Sequence, residues 1–134
     1  KIKNHEFVEY AQVHDDLYGT LYSEIEKHLE SGNDLILELD VQGMRSIKNK
    51  FPHAVTVFMM PPSLKEMEFR LKNRGTESEE KIQKRLKRAF EEMKLRPEFD
   101  YTIINYEVEQ SANDLNSIIH AEHLKSYRIE INLE

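Results

Sequence analysis

The sequence predicts an α/β fold built on a parallel sheet, and two observations support this prediction. Three short apolar runs, residues 35–41, 54–60 and 101–104, are predicted to be strands. The second and third scarcely alternate between apolar and polar residues, which is typical of strands covered on both faces. Segments with helical periodicity separate the three runs, and this order of strand, helix and strand is typical of parallel crossover connections.

The composition excludes several classes of protein. The chain has 134 residues, enough for one compact domain, and its formal net charge of −6 gives no electrostatic footprint for nucleic acid. No apolar run approaches the roughly 18–20 residues of a membrane span, and the first residues do not resemble a signal peptide. The absence of cysteine excludes a disulfide framework, a thiolate zinc site and a cysteine nucleophile. We therefore expect a cytoplasmic protein without a nucleic-acid or membrane partner.

Charge is unevenly distributed along the chain. Residues 64–96 contain 11 basic and 7 acidic residues, a net charge of +4, whereas the remainder carries −10. A basic segment on an acidic body suggests a mobile element that closes over an anionic ligand. The alternative is a solvated helical face of mixed charge, and charge alone does not decide between the two.

The predicted helices have recognisable boundaries. A helix after Thr20 is expected to end at Gly32, and Pro52 should end a short helix that contains Met44 and Ile47. Three further helices are predicted to begin at capping boxes, namely Ser63 with Glu66, Thr76 with Glu79, and Ser111 with Asp114. Gly75 supplies a tight turn between two of them. The alternating run 129–133 resembles a strand but has no evident place in the sheet.

Two carboxylates, Glu38 and Asp40, stand near the end of the first predicted strand. Ligands of open α/β sheets bind at the carboxyl ends of strands, where a carboxylate can hold hydrated Mg²⁺ beside phosphates. Residues two apart in a strand share a face, so both acids would project into one space. The alternative is that one of them caps the helix that begins near Gly43. Because acids in an apolar strand are costly to bury, we favour a binding site.

A second candidate site is the basic helix after Thr76. Its basic face consists of Lys81, Lys84, Arg85 and Arg88, and Arg70 and Arg74 lie across the preceding turn. Convergent guanidinium groups would suit phosphoryl transfer, because arginine offers paired donors to the charged oxygens. The alternative is an outer helical face paired internally through Glu77, Glu79 and Glu80. Without further observations that second interpretation is the stronger.

Other polar residues give weaker signals. The segment from Glu9 to Thr20 combines a carboxylate, a phenol and a hydroxyl, but by its chemistry alone it is a polar loop. The six histidines have no metal-binding spacing, and no nucleophile motif occurs.

Several short motifs occur in a fixed order along the chain. They are EFVEYA from Glu6, YGT from Tyr18, LELDVQG from Leu37, FMMPPSL from Phe58, RGTESEE from Arg74, KRL from Lys84 and IIN from Ile103. Each motif alone is weak, but together they are highly specific. In this order, and over nearly the whole chain, the sequence resembles guanylate kinase.

The resemblance implies a P-loop nucleoside monophosphate kinase fold, with a parallel core sheet, a GMP-binding subdomain and a helical lid. The implied reaction is ATP plus GMP giving ADP plus GDP, with Mg²⁺. The implied organisation is one partial domain over residues 1–134, with the remainder of the GMP-binding subdomain at 1–31, core at 32–63 and 97–134, and the lid with its flanking helices at 64–96.

The resemblance also assigns roles to individual positions. Glu9 and Thr20 match positions that contact guanine, and Tyr18 matches a tyrosine that contacts the GMP phosphate. Glu38 matches a further acid of the GMP site, and Asp40 matches an acid near the phosphates that would hold the metal through water. The remaining matches are the lid arginines Arg74 and Arg85, which reach the transferred phosphoryl group, and Asn105 beside the adenine.

One departure from the family pattern is large. The Gly-rich loop G-x-x-x-x-G-K-[ST] that holds ATP's phosphates does not occur among these 134 residues. The chain therefore resembles the C-terminal two-thirds of the enzyme, and by itself it is expected to be inactive, with an exposed apolar surface. The alternative is a guanylate-kinase-like interaction module that has lost catalysis and binds phosphopeptides, although the site residues that are present favour the enzyme.

Overall fold

The computed structural model describes residues 7–13 and 16–133, and over 7–13 and 16–23 it describes the backbone alone. The chain forms two compact units, Lys1–Thr56 and Val57–Glu134. The predicted α/β class is confirmed, because helices alternate with strands and the second unit contains a parallel strand pair. None of the helices in the described part of the chain is long and apolar enough to cross a membrane.

The first unit combines an antiparallel hairpin with two helices. Its elements are β1 (Phe7–Val13), β2 (Asp16–Leu21), α1 (Tyr22–Glu30) and α2 (Val41–Lys50). Ile25 of α1 and Ile47 of α2 are buried and form the centre of a small core. The partly buried side chains around them are Leu35, Leu37, Leu39, Phe51 and Ala54.

The strand predicted over residues 35–41 is not formed. Residues 33–40 make no ladder within the described chain, and α2 already begins at Val41. The segment nevertheless alternates as extended chain does, because Leu35, Leu37 and Leu39 pack inward while Ile36 is 67% exposed. A strand needs a hydrogen-bonded neighbour, and the two strands of this unit, β1 and β2, pair with each other.

The second unit is organised around the parallel strand pair. Its elements are β3 (Val57–Met60), α3 (Leu64–Arg74), α4 (Glu79–Met93), β4 (Tyr101–Ile104) and α5 (Val108–His123), with single 3₁₀ turns at Arg96–Glu98 and Ser126–Arg128. β3 and β4 pair in register from Val57 opposite Tyr101 to Met60 opposite Ile104. Phe58 of β3 and Ile103 of β4 are buried, and the ring of Phe58 meets the ring of Phe99 edge-on with 5.1 Å between the ring centroids.

The helix boundaries confirm some of the capping predictions. The Ser63 Oγ accepts a hydrogen bond from the Glu66 backbone N–H at 3.0 Å and so caps α3. At the other end of α3, Gly75 adopts the left-handed conformation with φ +62°. A Cβ placed on Gly75 would meet no atom within 4 Å, so the backbone angle, and not crowding, makes glycine suitable here.

Two other capping predictions are wrong. Helix α4 is capped by Ser78, whose Oγ accepts from the Lys81 N–H, and not by Thr76. Helix α5 begins at Val108, so Ser111 lies inside its first turn, where it is buried and its hydroxyl donates to the Asn105 Oδ1 at 3.0 Å. At α4 the chain offers both Thr76 and Ser78 as caps, and the turn geometry selects Ser78. At α5 the N-cap position is Glu107, whose side chain makes no capping hydrogen bond.

The strand-like run 129–133 forms no strand with any described residue. The preceding helix, α5, is joined to β4 through the buried residue Glu122. Its carboxylate accepts a hydrogen bond from the Tyr101 phenol at 2.5 Å. This hydrogen bond is the main reason that the pKa of Tyr101 is raised. Beyond this anchor, Ile129, Ile131 and Leu133 are exposed.

The helix caps give a direct test of the observed boundaries. Ser78→Ala should lower the free energy of unfolding by about 1 kcal/mol, because the Lys81 N–H loses its acceptor. Thr76→Ala should change it by less than about 0.5 kcal/mol. Urea unfolding of the two variants measures both effects, and a larger loss in Thr76→Ala would contradict the assigned start of α4.

Candidate functional site

The predicted site residues divide between the two units. The five positions matched to the GMP site and the metal lie in the first unit, and they are Glu9, Tyr18, Thr20, Glu38 and Asp40. The three positions matched to the lid and the adenine lie in the second unit, and they are Arg74, Arg85 and Asn105.

The hairpin brings the first three of these positions together in its register. Glu9 of β1 pairs directly with Thr20 of β2, and Ala11 pairs with Tyr18. Directly paired residues share a face of a ladder, as do residues two apart along one strand. Glu9, Tyr18 and Thr20 therefore occupy register positions on one face of the hairpin. The chemistry of this segment alone suggests a polar loop, whereas residues 7–13 and 16–21 form an antiparallel strand pair.

Asp40 is the N-cap of α2. One of its carboxylate oxygens, Oδ1, accepts a hydrogen bond from the Gly43 N–H at 2.8 Å, which is the capping role weighed as the alternative to a binding site. The other oxygen has no hydrogen-bond partner among the described residues. Glu38 is exposed and Asp40 is half-buried, so the burial cost that favoured a binding site does not apply to Glu38.

Internal ion pairs account for much of the basic segment. The three acids singled out as possible partners each meet a base: Glu77 pairs with Arg85 at 2.6 Å, Glu79 with Lys72 at 3.7 Å and Glu80 with Lys84 at 3.7 Å. Lys72 also donates to Glu68 at 2.7 Å, and this hydrogen bond is the main reason that the pKa of Lys72 is raised. Because Lys72 lies on α3 and Glu79 on α4, the ion pair between them also links the two helices.

Arg74 differs from these paired residues. It is the last residue of α3, it is exposed, and its side chain makes no ion pair or hydrogen bond within the described chain. A guanidinium in this state keeps all of its donors for a ligand. Among Arg70, Arg74 and Arg85, Arg74 is therefore the one whose donors are all available to an anion.

Arg70 has a structural role that the sequence did not reveal. Its Nη1 donates to the Asn105 carbonyl at 3.0 Å and its Nη2 to the Tyr106 carbonyl at 3.2 Å, while its Nε pairs with Glu66. Three of its five N–H donors are thus used within the chain, which does not favour the predicted convergence of Arg70 with Arg74 on one ligand. The spacing of Glu66 and Arg70 was a visible signal for their ion pair, but backbone carbonyls 35 and 36 residues away leave no sequence signal.

Asn105 lies directly after β4 and is fixed on both sides. Its backbone N–H donates to the Met60 carbonyl at 2.8 Å, which extends the strand pairing by one residue. Its side-chain oxygen accepts from Ser111, and its own carbonyl accepts from Arg70. The half-buried Asn105 is thus held in one orientation at the carboxyl edge of the parallel pair, where ligands of α/β sheets bind.

Metal binding rests on few residues. Within the described residues, no group of three or more His, Cys, Asp or Glu side chains could hold a metal ion. Mg²⁺ in phosphate-transferring sites needs only one or two carboxylates, with waters and phosphates as its other ligands. The second oxygen of Asp40 fits that requirement.

Comparison with known proteins assigns the chain to a family. The model of the guanylate kinase family matches residues 1–122. The chain belongs to the guanylate kinase family. A curated guanylate kinase of Fusobacterium nucleatum is 50% identical over 119 residues, which cover 89% of this chain and 64% of that protein. A guanylate kinase of Caldanaerobacter subterraneus is 45% identical over 121 residues, which cover 90% of this chain and 59% of that protein.

The fold gives the same answer. The crystal structure of guanylate kinase from Anaplasma phagocytophilum matches 95% of this chain with a TM-score of 0.76 and 30% sequence identity, and the match covers 61% of that structure. The α/β fold predicted from the guanylate kinase resemblance is therefore confirmed. The chain spans less than two thirds of the length of each of these relatives.

The contacts of Arg70 predict a stability effect. Arg70→Lys keeps the charge, but a lysine has no planar fork with which to reach both carbonyls. The free energy of unfolding should fall by about 1 kcal/mol, a modest amount because water screens this partly exposed charge. Arg88→Lys, at a pair with Glu92 within one helix, should change it by less than about 0.5 kcal/mol. Equal thermal stability of the two variants would contradict a special role for Arg70.

Proposed function

We propose that the full-length protein transfers the γ-phosphoryl group of ATP to GMP, producing ADP and GDP. The observation that carries this proposal is the register of the hairpin, in which Glu9 and Thr20 are direct partners and Tyr18 shares their face. Membership of the guanylate kinase family and the names of its relatives support the same reaction. Soluble nucleotides as substrates, and a chain without cysteine, suit a cytoplasmic enzyme.

Guanine recognition falls to Glu9 and Thr20. Guanine presents two neighbouring donors, N1–H and the 2-amino group, which one carboxylate can accept as a pair. Its O6 accepts a hydrogen bond, which a threonine hydroxyl can donate. Adenine has an acceptor at N1 and lacks the 2-amino group, so it would leave the Glu9 carboxylate without donors, although its 6-amino group could donate to the threonine hydroxyl. Such a mismatch at a hydrogen-bonding site can reduce kcat/KM by roughly 10⁴-fold or more.

The phosphate of GMP falls to Tyr18, whose phenol can donate to a phosphate oxygen. Glu38 is a further acid of the GMP site, on an exposed segment of the same unit. Tyr18 and Thr20 are two residues apart on β2, so one strand would present a phosphate donor and a base donor side by side. This spacing suits a nucleotide that lies along the hairpin.

Mg²⁺ would be held by Asp40 through water. The ion, when bound, would neutralise charge on the phosphate oxygens. The Asp40 Oδ1 is occupied by the Gly43 N–H, which fixes the carboxylate and leaves its second oxygen for a metal-bound water. The same side chain would then both start α2 and face the phosphates.

Phosphoryl transfer falls to Arg74 and Arg85. An oxygen of the GMP phosphate attacks the γ-phosphorus of ATP, and the bond from that phosphorus to the β–γ bridging oxygen breaks, leaving ADP. Charge accumulates on the transferred oxygens and on the bridging oxygen, and guanidinium groups stabilise it. Arg74 is unpaired within the described chain, and Arg85 uses one recorded contact, so both retain donors.

ATP binding in this part of the chain falls to Asn105. Its position after β4, fixed by Met60, Ser111 and Arg70, suits contact with an adenine ring at the edge of the parallel pair. The Gly-rich phosphate loop of the family is not among these 134 residues. Activity is therefore to be tested on the full-length protein.

Turnover of GMP is the decisive measurement. The full-length protein with ATP, GMP and Mg²⁺ should produce ADP and GDP in equal amounts. Glu9→Gln should raise the KM for GMP by at least tenfold with little change in the KM for ATP, because the amide meets the guanine donors with a donor of its own. Unchanged GMP kinetics in this variant would contradict the assignment of Glu9. Absence of GDP, together with saturable binding of a phosphopeptide, would favour a non-catalytic interaction module.

For Arg85, a different kinetic pattern is expected. Arg85→Ala should lower kcat by about 10³-fold or more with a much smaller change in KM, because its donors act on charge that develops in the transition state. Arg88→Ala is the matched control, since Arg88 lies one turn along the same helix and pairs with Glu92. If both variants keep wild-type turnover, Arg85 has no part in the reaction and the basic segment is only a solvated face.

A further inference from the structure

The ion pair between Glu77 and Arg85 differs from the other ion pairs that residues 64–94 make with one another. Those pairs join residues three or four apart on one helix, or cross between the helices at 3.7 Å, and their acids are all at least a third exposed. Glu77 lies in the turn before α4, eight residues from its partner, and its side chain is only 18% exposed. At 2.6 Å, its contact with the Arg85 Nη2 is short.

This contact directs Arg85 toward the beginning of α4. Arg85 lies six residues into the helix, about 9 Å along its axis, and its side chain reaches back to the turn that contains Glu77. Arg74 ends α3 only three residues before Glu77, a backbone distance of at most about 11 Å. Arg88 is drawn the opposite way by Glu92. The ion pair thus brings the Arg85 guanidinium to the end of the helix pair where Arg74 lies.

The hydrogen-bonding groups of the pair are only partly used. A guanidinium has five N–H donors, and one contact is recorded for Arg85, whose side chain is 48% exposed. The other carboxylate oxygen of Glu77, Oε2, is buried and has no hydrogen-bond partner within the described chain. A carboxylate with one buried oxygen that accepts no hydrogen bond does not favour stability, because an uncharged side chain could fill the turn without leaving a buried acceptor unsatisfied.

We propose that Glu77 is a positioning residue for phosphoryl transfer. It holds the Arg85 Nη2, so that the Nε and Nη1 donors remain free for the oxygens of the transferred group. A long flexible side chain is thereby ordered before the nucleotides bind, and less freedom is lost in the transition state. The proposal rests on the proposed function, since it gives Glu77 no role apart from the lid arginine.

The test is a double-mutant cycle in the full-length protein. Glu77→Gln should lower kcat about 10- to 100-fold, while the KM values for GMP and ATP change less than about threefold. In an Arg85→Ala background the same Glu77 substitution should have no further effect, because the group that it positions is gone. Glu77→Asp keeps the charge and should recover part of the lost kcat.

Glu80→Gln is the matched control. It removes the same charge from the same end of α4, where Glu80 pairs with Lys84 in an exposed contact. Its kcat should stay within about twofold of the wild type. Both acids also interact favourably with the dipole at the start of α4, and both substitutions remove that interaction. A fall in kcat that occurs in Glu77→Gln but not in Glu80→Gln therefore reflects positioning of Arg85 and not helix stability.

A second readout does not depend on turnover. In the wild type, the Arg85 guanidinium should give resolved NMR signals with slowed rotation about its C–N bonds, and Glu77→Gln should abolish that slowing. Wild-type protein that shows the slowed guanidinium but makes no GDP would contradict the proposed function and, with it, the positioning role. An active wild type in which Glu77→Gln leaves kcat unchanged, or lowers it equally with and without Arg85, would overturn the positioning role alone.

Discussion

The parallel pairing of β3 with β4 is the constraint on which the second unit depends. Because parallel strands end at the same edge, the segments that follow Met60 and Ile104 leave the sheet side by side. One leads into α3 and the other into α5, so Arg70 of α3 can reach the Asn105 and Tyr106 carbonyls. Helix α3 and the loop after β4 therefore share one anchoring point, although they are far apart in the sequence.

Local patterns predicted the elements whose causes are local. The sequence predicted β3 and β4 because strands buried on both faces are apolar throughout. It also predicted the Ser63 cap, from a side chain that can accept a hydrogen bond, and the turn at Gly75, from the residue type that adopts left-handed angles. The run 35–41 carried an equally good strand pattern. Whether such a run becomes a strand depends on a hydrogen-bonded neighbour elsewhere in the chain, and its own residues do not encode that neighbour.

The candidate site shows the same division. The motifs pointed to Glu9, Tyr18 and Thr20, but their common face follows only from the strand register. The pairing of basic residues with Glu77, Glu79 and Glu80 was foreseen as an alternative to ligand binding, and it accounts for Lys72, Lys84 and one donor of Arg85. The roles of Arg70 and Ser111 were not predicted. Arg70 donates to backbone carbonyls, which every residue type has, and Ser111 donates to the side chain of Asn105, which no helix pattern marks as its partner.

Gly75 restricts the handedness of the residue that can join α3 to α4. Its φ of +62° is unfavourable for an L-residue, yet the space where a Cβ would stand is empty. A D-alanine at this position would match the backbone angle without a clash, and it would also restrict the unfolded chain. The turn therefore selects for chirality and not for size, and a mirror-image residue introduced by chemical synthesis could fasten the two helices more firmly than the natural glycine does.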